Sequence, residues 1–153
     1  MPSIGLRASD GYLLNLRSFV TKQPVAILFF AGPTVSGAQR THGDALARAF
    51  AEATPRLHAA GIATLGVTCD SETQQTEYAT ALQLPYLLMS DERRVAVQAL
   101  GIPTRERSGS WNVATPILVG VDESGTVRGV FEDPDPRLVG AIALEIFREP
   151  LPG

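Results

Sequence analysis

The sequence of 153 residues holds one cysteine, Cys69, one lysine and two histidines. A single thiol excludes an intrachain disulfide and a cysteine-based metal framework, which fits a reducing compartment. The two imidazoles, His42 and His58, fall on one expected helix with no third partner, so no metal site and no cofactor is expected. Positive charge is also scarce: the net charge is -3, which excludes the basic surface that a nucleic-acid partner needs. No apolar run approaches the ~20 residues that cross a bilayer. Met1-Pro2-Ser3-Ile4 lacks the basic and apolar regions of a signal peptide, so no membrane association and a cytoplasmic location are expected. Arg outnumbers Lys twelve to one, a bias associated with high-GC bacterial genomes.

What is present is organised around Val25-Ala26-Ile27-Leu28-Phe29-Phe30, an apolar run between Pro24 and Gly32-Pro33. Its composition predicts a strand buried on both faces. Ligands of open α/β sheets bind beyond the carboxyl ends of such strands, where a loop feeds a helix with free N–H groups. Residues 37–60 place Leu46, Ala49, Phe50, Ala53 and Leu57 on one stripe ending at Gly61, a long helix. Pro55 predicts a kink or restart there, with Thr54 as cap. Residues 62–67 read as a second buried strand, parallel to the first.

Ahead of this unit, alternation around Ser9-Asp10-Gly11 predicts an N-terminal β-hairpin over 5–19. Downstream, Ser71 with Gln74 forms a capping box opening a helix that turns Tyr78, Ala81 and Leu82 inward. Residues 86–89 read as a short strand, and Asp91 caps a short helix carrying Val95, Ala99 and Leu100. No period survives from 104 to 112, which reads as an irregular loop. Residues 117–121 and 126–131 flank a glycine turn and read as a hairpin, and Asp133-Pro134-Asp135-Pro136 opens a final helix. One domain, 1–153, is α/β with a mixed central sheet flanked by helices.

This order of elements is that of the thioredoxin-like fold, and four phrases sharpen it. Ser9-Asp10-Gly11 through Phe30, Leu65-Gly66-Val67-Thr68-Cys69-Asp70-Ser71, Leu84-Pro85-Tyr86 through Ser90-Asp91, and Val121 through Gly125 resemble the peroxiredoxin family of AhpC/TSA type over about residues 6–146. The resemblance implies thiol peroxidase or oxidoreductase chemistry, an antioxidant role and a possible homodimer. It also implies a Pro and a Thr before a peroxidatic Cys at the first turn of the long helix, with a downstream Arg. Here that turn is Pro33-Thr34-Val35-Ser36-Gly37-Ala38 without a Cys, and the Arg position falls on Pro116. Thr115-Pro116 matches instead the cis-proline of thioredoxins. A hydroxyl cannot replace the thiolate, because it is not ionised at neutral pH.

The candidate residues each carry two readings. Thr34 and Ser36 either cap the long helix or, with the N–H groups of Gly37 and Ala38, line an anion or oxyanion site. Arg40 and His42 sharpen the second, because a cation in the first helical turn opposes the macrodipole unless an anion binds, although Asp44 can neutralise one of them. Cys69 reads as a small core residue or a displaced redox thiol whose pKa Asp70 would raise. Trp111, Arg105 and Arg107 read as a solvated loop or as a lid or dimer contact. By resemblance, their loop lies beside the active site and a dimer interface. Three functions remain open: binding of a small anionic or carbonyl-bearing ligand at Pro33 to Arg40, residual thiol chemistry through Cys69, and a non-catalytic interaction module.

Overall fold

The computed structural model describes residues 4–8, 13–20, 22–107 and 110–148. Strand β3 (Val25–Phe29) lies in a sheet of seven strands. It pairs in parallel with β4 (Ala63–Thr68) and antiparallel with β8 (Ile117–Val121). Beyond β4 come β5 (Leu87–Ser90), β1 (Gly5–Ala8) and β2 (Leu13–Asn15), and beyond β8 comes β9 (Val127–Glu132). The central, doubly buried position expected for the apolar run is the one it occupies.

Alternation along β3 feeds two cores. Val25, Ile27 and Phe29 meet Leu65, Val67, Met89 and Val97 on one side, with α1 (Leu16–Val20) and α4 (Val95–Ala99) covering them. Ala26, Leu28 and Phe30 meet Leu46, Phe50, Tyr86 and Leu118 on the other, under α2 (Gly37–Ala59), α3 (Glu72–Leu82) and α5 (Val139–Ile146). Each fully buried aliphatic or aromatic side chain there contributes roughly 1.5–3 kcal/mol.

Capping chemistry sets several boundaries. Ser71 accepts from the N–H of Gln74 while the Gln74 side chain accepts from the N–H of Ser71, completing the expected capping box. Both carboxylate oxygens of Asp91 accept backbone N–H groups of α4, from Val95 at 2.8 Å and Val97 at 2.9 Å. Helix α2 ends in a Schellman motif, with Gly61 at φ 80° and the N–H of Ile62 on the Leu57 carbonyl.

Six expectations are corrected. Helix α2 runs unbroken through Pro55, and Thr54 does not cap a second helix but donates its hydroxyl to the Phe50 carbonyl at 2.9 Å. Residues 104–112 are not irregular: β6 (Thr104–Arg107) and β7 (Ser110–Val113) form a separate antiparallel ribbon whose cross-strand pairing carries no apolar period. Residues 16–20 turn from strand to helix directly after β2, and the turn at 9–12 lies outside the described residues. On α3, Tyr78 is buried and Leu82 packs on the core as expected, but Gln75 takes the inward place of Ala81, which is exposed; on α4, Leu100 packs on the core, but the buried residues are Ala96 and Val97, with Val95 and Ala99 exposed. Asp135 closes a turn on Arg137 and Leu138, so α5 begins only at Val139. The Thr115–Pro116 bond is trans, the isomer favoured by about 0.5–1 kcal/mol, and leads straight into β8.

Gly43 lets α2 sit against the end of β3, since a Cβ there would lie 2.6 Å from the Ala31 backbone oxygen. Gly43→Ala gains up to about 1 kcal/mol of helix propensity. It also forces the helix start off the strand end, at about 1–3 kcal/mol. Steric displacement is expected to win, with a net loss of stability in urea denaturation; a stabilised variant would show that this contact does not seat the helix.

Candidate functional site

Pairing register gathers the site. Phe29 at the end of β3 is opposite Val67 of β4 and Ile117 of β8, and Ile117 is opposite Glu132 of β9. The turn before α2, the Cys69-Asp70-Ser71 segment, Thr115-Pro116 and Asp133 therefore meet at one edge of the sheet. The N–H of Asp133 donates to the Pro116 carbonyl at 2.7 Å, tying two of these segments together.

A cavity of about 580 Å³ opens there against the first turns of α2. Its wall includes Ser36, Gly37, Ala38, His42, Thr115 and Pro116, so these six expected residues are brought together. Ser36 sits at the N-cap in extended conformation, yet its side chain makes no capping hydrogen bond, and no acidic residue lies in the first turn. The unpaired N–H groups of a helix 23 residues long, with the positive end of its dipole, thus meet a cavity. Arg105, from β6, lines the same cavity, exposed and with no carboxylate partner among the described residues. His42 reaches Asp133, Nε2 to Oδ1 at 2.7 Å. The sequence reads Asp133 only as a helix start; in the structure it adopts a positive φ of 46° and pairs with His42. No group of three potential metal ligands occurs among the described residues.

The other expected residues lie elsewhere. Thr34 turns away from the cavity: its hydroxyl donates to Asp70 Oδ1 and accepts from the Asn112 amide at 3.0 Å. Arg40 is held on the opposite face of the turn, on Asp44 at 2.9 and 3.1 Å and on the Pro33 carbonyl at 2.9 Å, with its guanidinium 5.4 Å from the centre of the Tyr78 ring. Asp44 also accepts from the Tyr78 hydroxyl at 2.5 Å. Burial, then this bond, pushes the Tyr78 phenol up from its ordinary value. Pro33 and Arg40 border a shallower depression with Tyr78. Trp111 stacks under Arg94, 3.9 Å from ring centre to guanidinium, and lines a third cavity with Thr34, Cys69 and Asp70.

Cys69 is buried at 8% exposure. Burial pushes its thiol up to about 12, with Asp91 and Asp70 adding to the shift and Arg94 opposing it. At neutral pH such a shift leaves the thiolate on the order of one molecule in a hundred thousand.

The sequence profile of the AhpC/TSA family matches residues 1–130. The chain belongs to the AhpC/TSA family. Among curated relatives, chloroplastic peroxiredoxin Q of Gentiana triflora is 26% identical over 132 residues, covering 86% of this chain and 57% of the relative. Chloroplastic peroxiredoxin Q of Populus jackii is 28% identical over 102 residues, covering 67% and 45%. The chain thus spans about half the length of the curated relatives it matches. The fold is that of peroxidoxin BcpB from Mycobacterium tuberculosis, with a TM-score of 0.83 at 16% identity over 97% of this chain and 96% of the other. Peroxiredoxin Q of Xanthomonas campestris superposes with a TM-score of 0.78 at 17% identity over 94% and 89%. Within this AhpC/TSA member no helix among the described residues is long and apolar enough to cross a membrane.

The partners of Arg40 reverse the expectation that a cation in the first turns of α2 is a liability. Arg40→Ala removes three hydrogen bonds and the stack on Tyr78. After discounting for its partial exposure, the loss is expected at about 1–2 kcal/mol. Thermal unfolding of the variant should show a melting point lower by several degrees. An unchanged or higher melting point would mean that this network contributes nothing.

Proposed function

We propose that this AhpC/TSA member is a non-peroxidase that binds a small anionic or carbonyl-bearing molecule in the cavity at the start of α2. The observation that carries the reading is the N-terminus of α2, uncapped by Ser36, facing a cavity that is also lined by Arg105, which has no carboxylate partner among the described residues. Helix N–H groups and a guanidinium both donate to oxygen, and neither needs a thiol. Ser36 adds a hydroxyl that can donate to or accept from the ligand, and the His42–Asp133 pair adds a polar wall. Ala38, Val113, Ala114 and Pro116 give the cavity an apolar side for the carbon skeleton.

Thr34 and Arg40 act in this reading as supports of the turn rather than as ligand contacts. Residual thiol chemistry through Cys69 is disfavoured by the protonated, buried state of its sulfur. A reducing compartment such as the cytoplasm suits the lone thiol, and a homodimer remains compatible with the exposed residues of β9.

Pyruvate carries both a carboxylate and a carbonyl and is the probe of choice. Titrated into the protein and followed by NMR, it should shift the amides of Gly37, Ala38 and Gln39 saturably. Arg105→Ala should weaken binding by about 1–2 kcal/mol, the range for a lost charge-assisted hydrogen bond at a partly exposed site. Its unfolding free energy should stay within about 0.5 kcal/mol, because Arg105 is an exposed surface residue. Equal affinity in the variant, or shifts confined to residues distant from α2, would remove the support for this site.

A further inference from the structure

Strand β9 is the outer strand of the sheet on the β8 side, and no further strand covers it among the described residues. An open edge offers a row of unpaired N–H and C=O groups to another chain, and proteins ordinarily protect it with charge or irregularity. Here the edge carries apolar side chains: Val127 is 41% exposed, Val130 55% and Phe131 42%. They lie on both faces of the strand, since Phe131 is opposite Leu118 of one core and Val130 opposite Val119 of the other. A partner packed on one face would leave the other bare, whereas a strand laid along the edge meets both.

The hydrogen-bond phase decides which groups point outward. The N–H of Asp133 donates to the Pro116 carbonyl, and antiparallel pairing alternates along the strand. Phe131 and Gly129 therefore bond inward to β8, while Arg128, Val130 and Glu132 turn their backbone groups away from it. The regular stretch is short. A register shift interrupts it where Val127 and Arg128 face Val121, and Asp133, at φ 46°, turns the chain away after Glu132. Residues 128–132 remain available, with Val130 at their centre.

A second copy of this chain fits that stretch in one register. Matching outward groups about a two-fold axis gives centres at Gly129, Val130 or Phe131. A centre at Gly129 sets Arg128 opposite Val130, and a centre at Phe131 sets Glu132 opposite Val130, so each leaves a charge facing an apolar side chain. The centre at Val130 sets Arg128 opposite the partner's Glu132 twice over and Val130 opposite the partner's Val130. It also sets Phe131 opposite the partner's Gly129, where bare backbone leaves room for a ring. Neither charge is committed elsewhere: Arg128 reaches Asp122 only at 3.4 Å, and the exposed Glu132 forms no ion pair among the described residues.

We propose that two copies of this chain pair β9 to β9, antiparallel and centred on Val130, as one continuous sheet. This goes beyond the ligand reading and stands on different side chains.

Sedimentation equilibrium of the full chain, from micromolar concentrations upward, should show a monomer–dimer equilibrium. Val130→Lys, at an exposed position, should leave the circular dichroism unchanged and weaken the dimer by about tenfold or more, because like charges then face each other across the axis. Glu132→Arg should weaken it by about tenfold, by facing Arg128 with a like charge, and the combination of Arg128→Glu with Glu132→Arg should restore it. Such rescue requires residue 128 of one copy to meet residue 132 of the other, which a structural role of either residue within its own chain does not reproduce. A monomer at every concentration, a dimer indifferent to Val130→Lys, or a double variant that associates no more tightly than Glu132→Arg would overturn the proposal.

Discussion

The register between β3 and its two neighbours is the constraint on which the rest depends. Phe29 stands opposite both Val67 and Ile117, so the carboxyl ends of two parallel strands and the start of an antiparallel one must finish at the same level. The bulk that enforces this register is apolar and doubly buried, and slipping by one residue would exchange the two cores. Everything chemical in the molecule is a consequence of what the chain places just past that level: a turn with hydroxyls, an Asp after Cys69, a trans proline, and Asp133.

At that edge the protein keeps a helix N-terminus and a cavity while lacking a thiol in the turn. The electrostatics divide on either side of residues 33–37. Toward Ser36 the helix end and Arg105 make a donor-rich cavity, and toward Thr34 the turn is bonded to the buried Asp70 carboxylate. Thr34 is bonded to Asp70 and Asn112 across three segments, so the turn is pinned by polar contacts on one side and by Arg40 on the other. Such a turn is held in place whether or not a ligand is present, which lowers the ordering cost of binding.

Most of the fold was legible because it rests on local rules. The buried run of β3, the capping box at Ser71, Asp91 before α4 and the glycine turn at 125 are each written in adjacent residues. The β6–β7 ribbon was not legible, since Thr104-Arg105-Glu106-Arg107 is wholly polar, with none of the apolar alternation a half-buried strand shows. In the site, Ser36, Gly37, Ala38, His42, Thr115 and Pro116 follow from the position of one turn and one proline. Arg40 did not, because its stack on Tyr78 is made by residues far apart in the chain. The unpartnered oxygens of Asp70 and Asn112 have no sequence signature, as hydrogen-bond satisfaction is decided only by packing.

The central claim is that an AhpC/TSA fold persists here without thiolate chemistry, and its most direct test is at Cys69. The native protein is exposed to equimolar hydrogen peroxide with dimedone present, and sulfenic-acid adducts are read by intact-mass spectrometry. A thiol buried at 8% exposure and raised to about 12 should remain unlabelled until the protein is unfolded. Stoichiometric labelling of Cys69 in the folded chain would contradict the account.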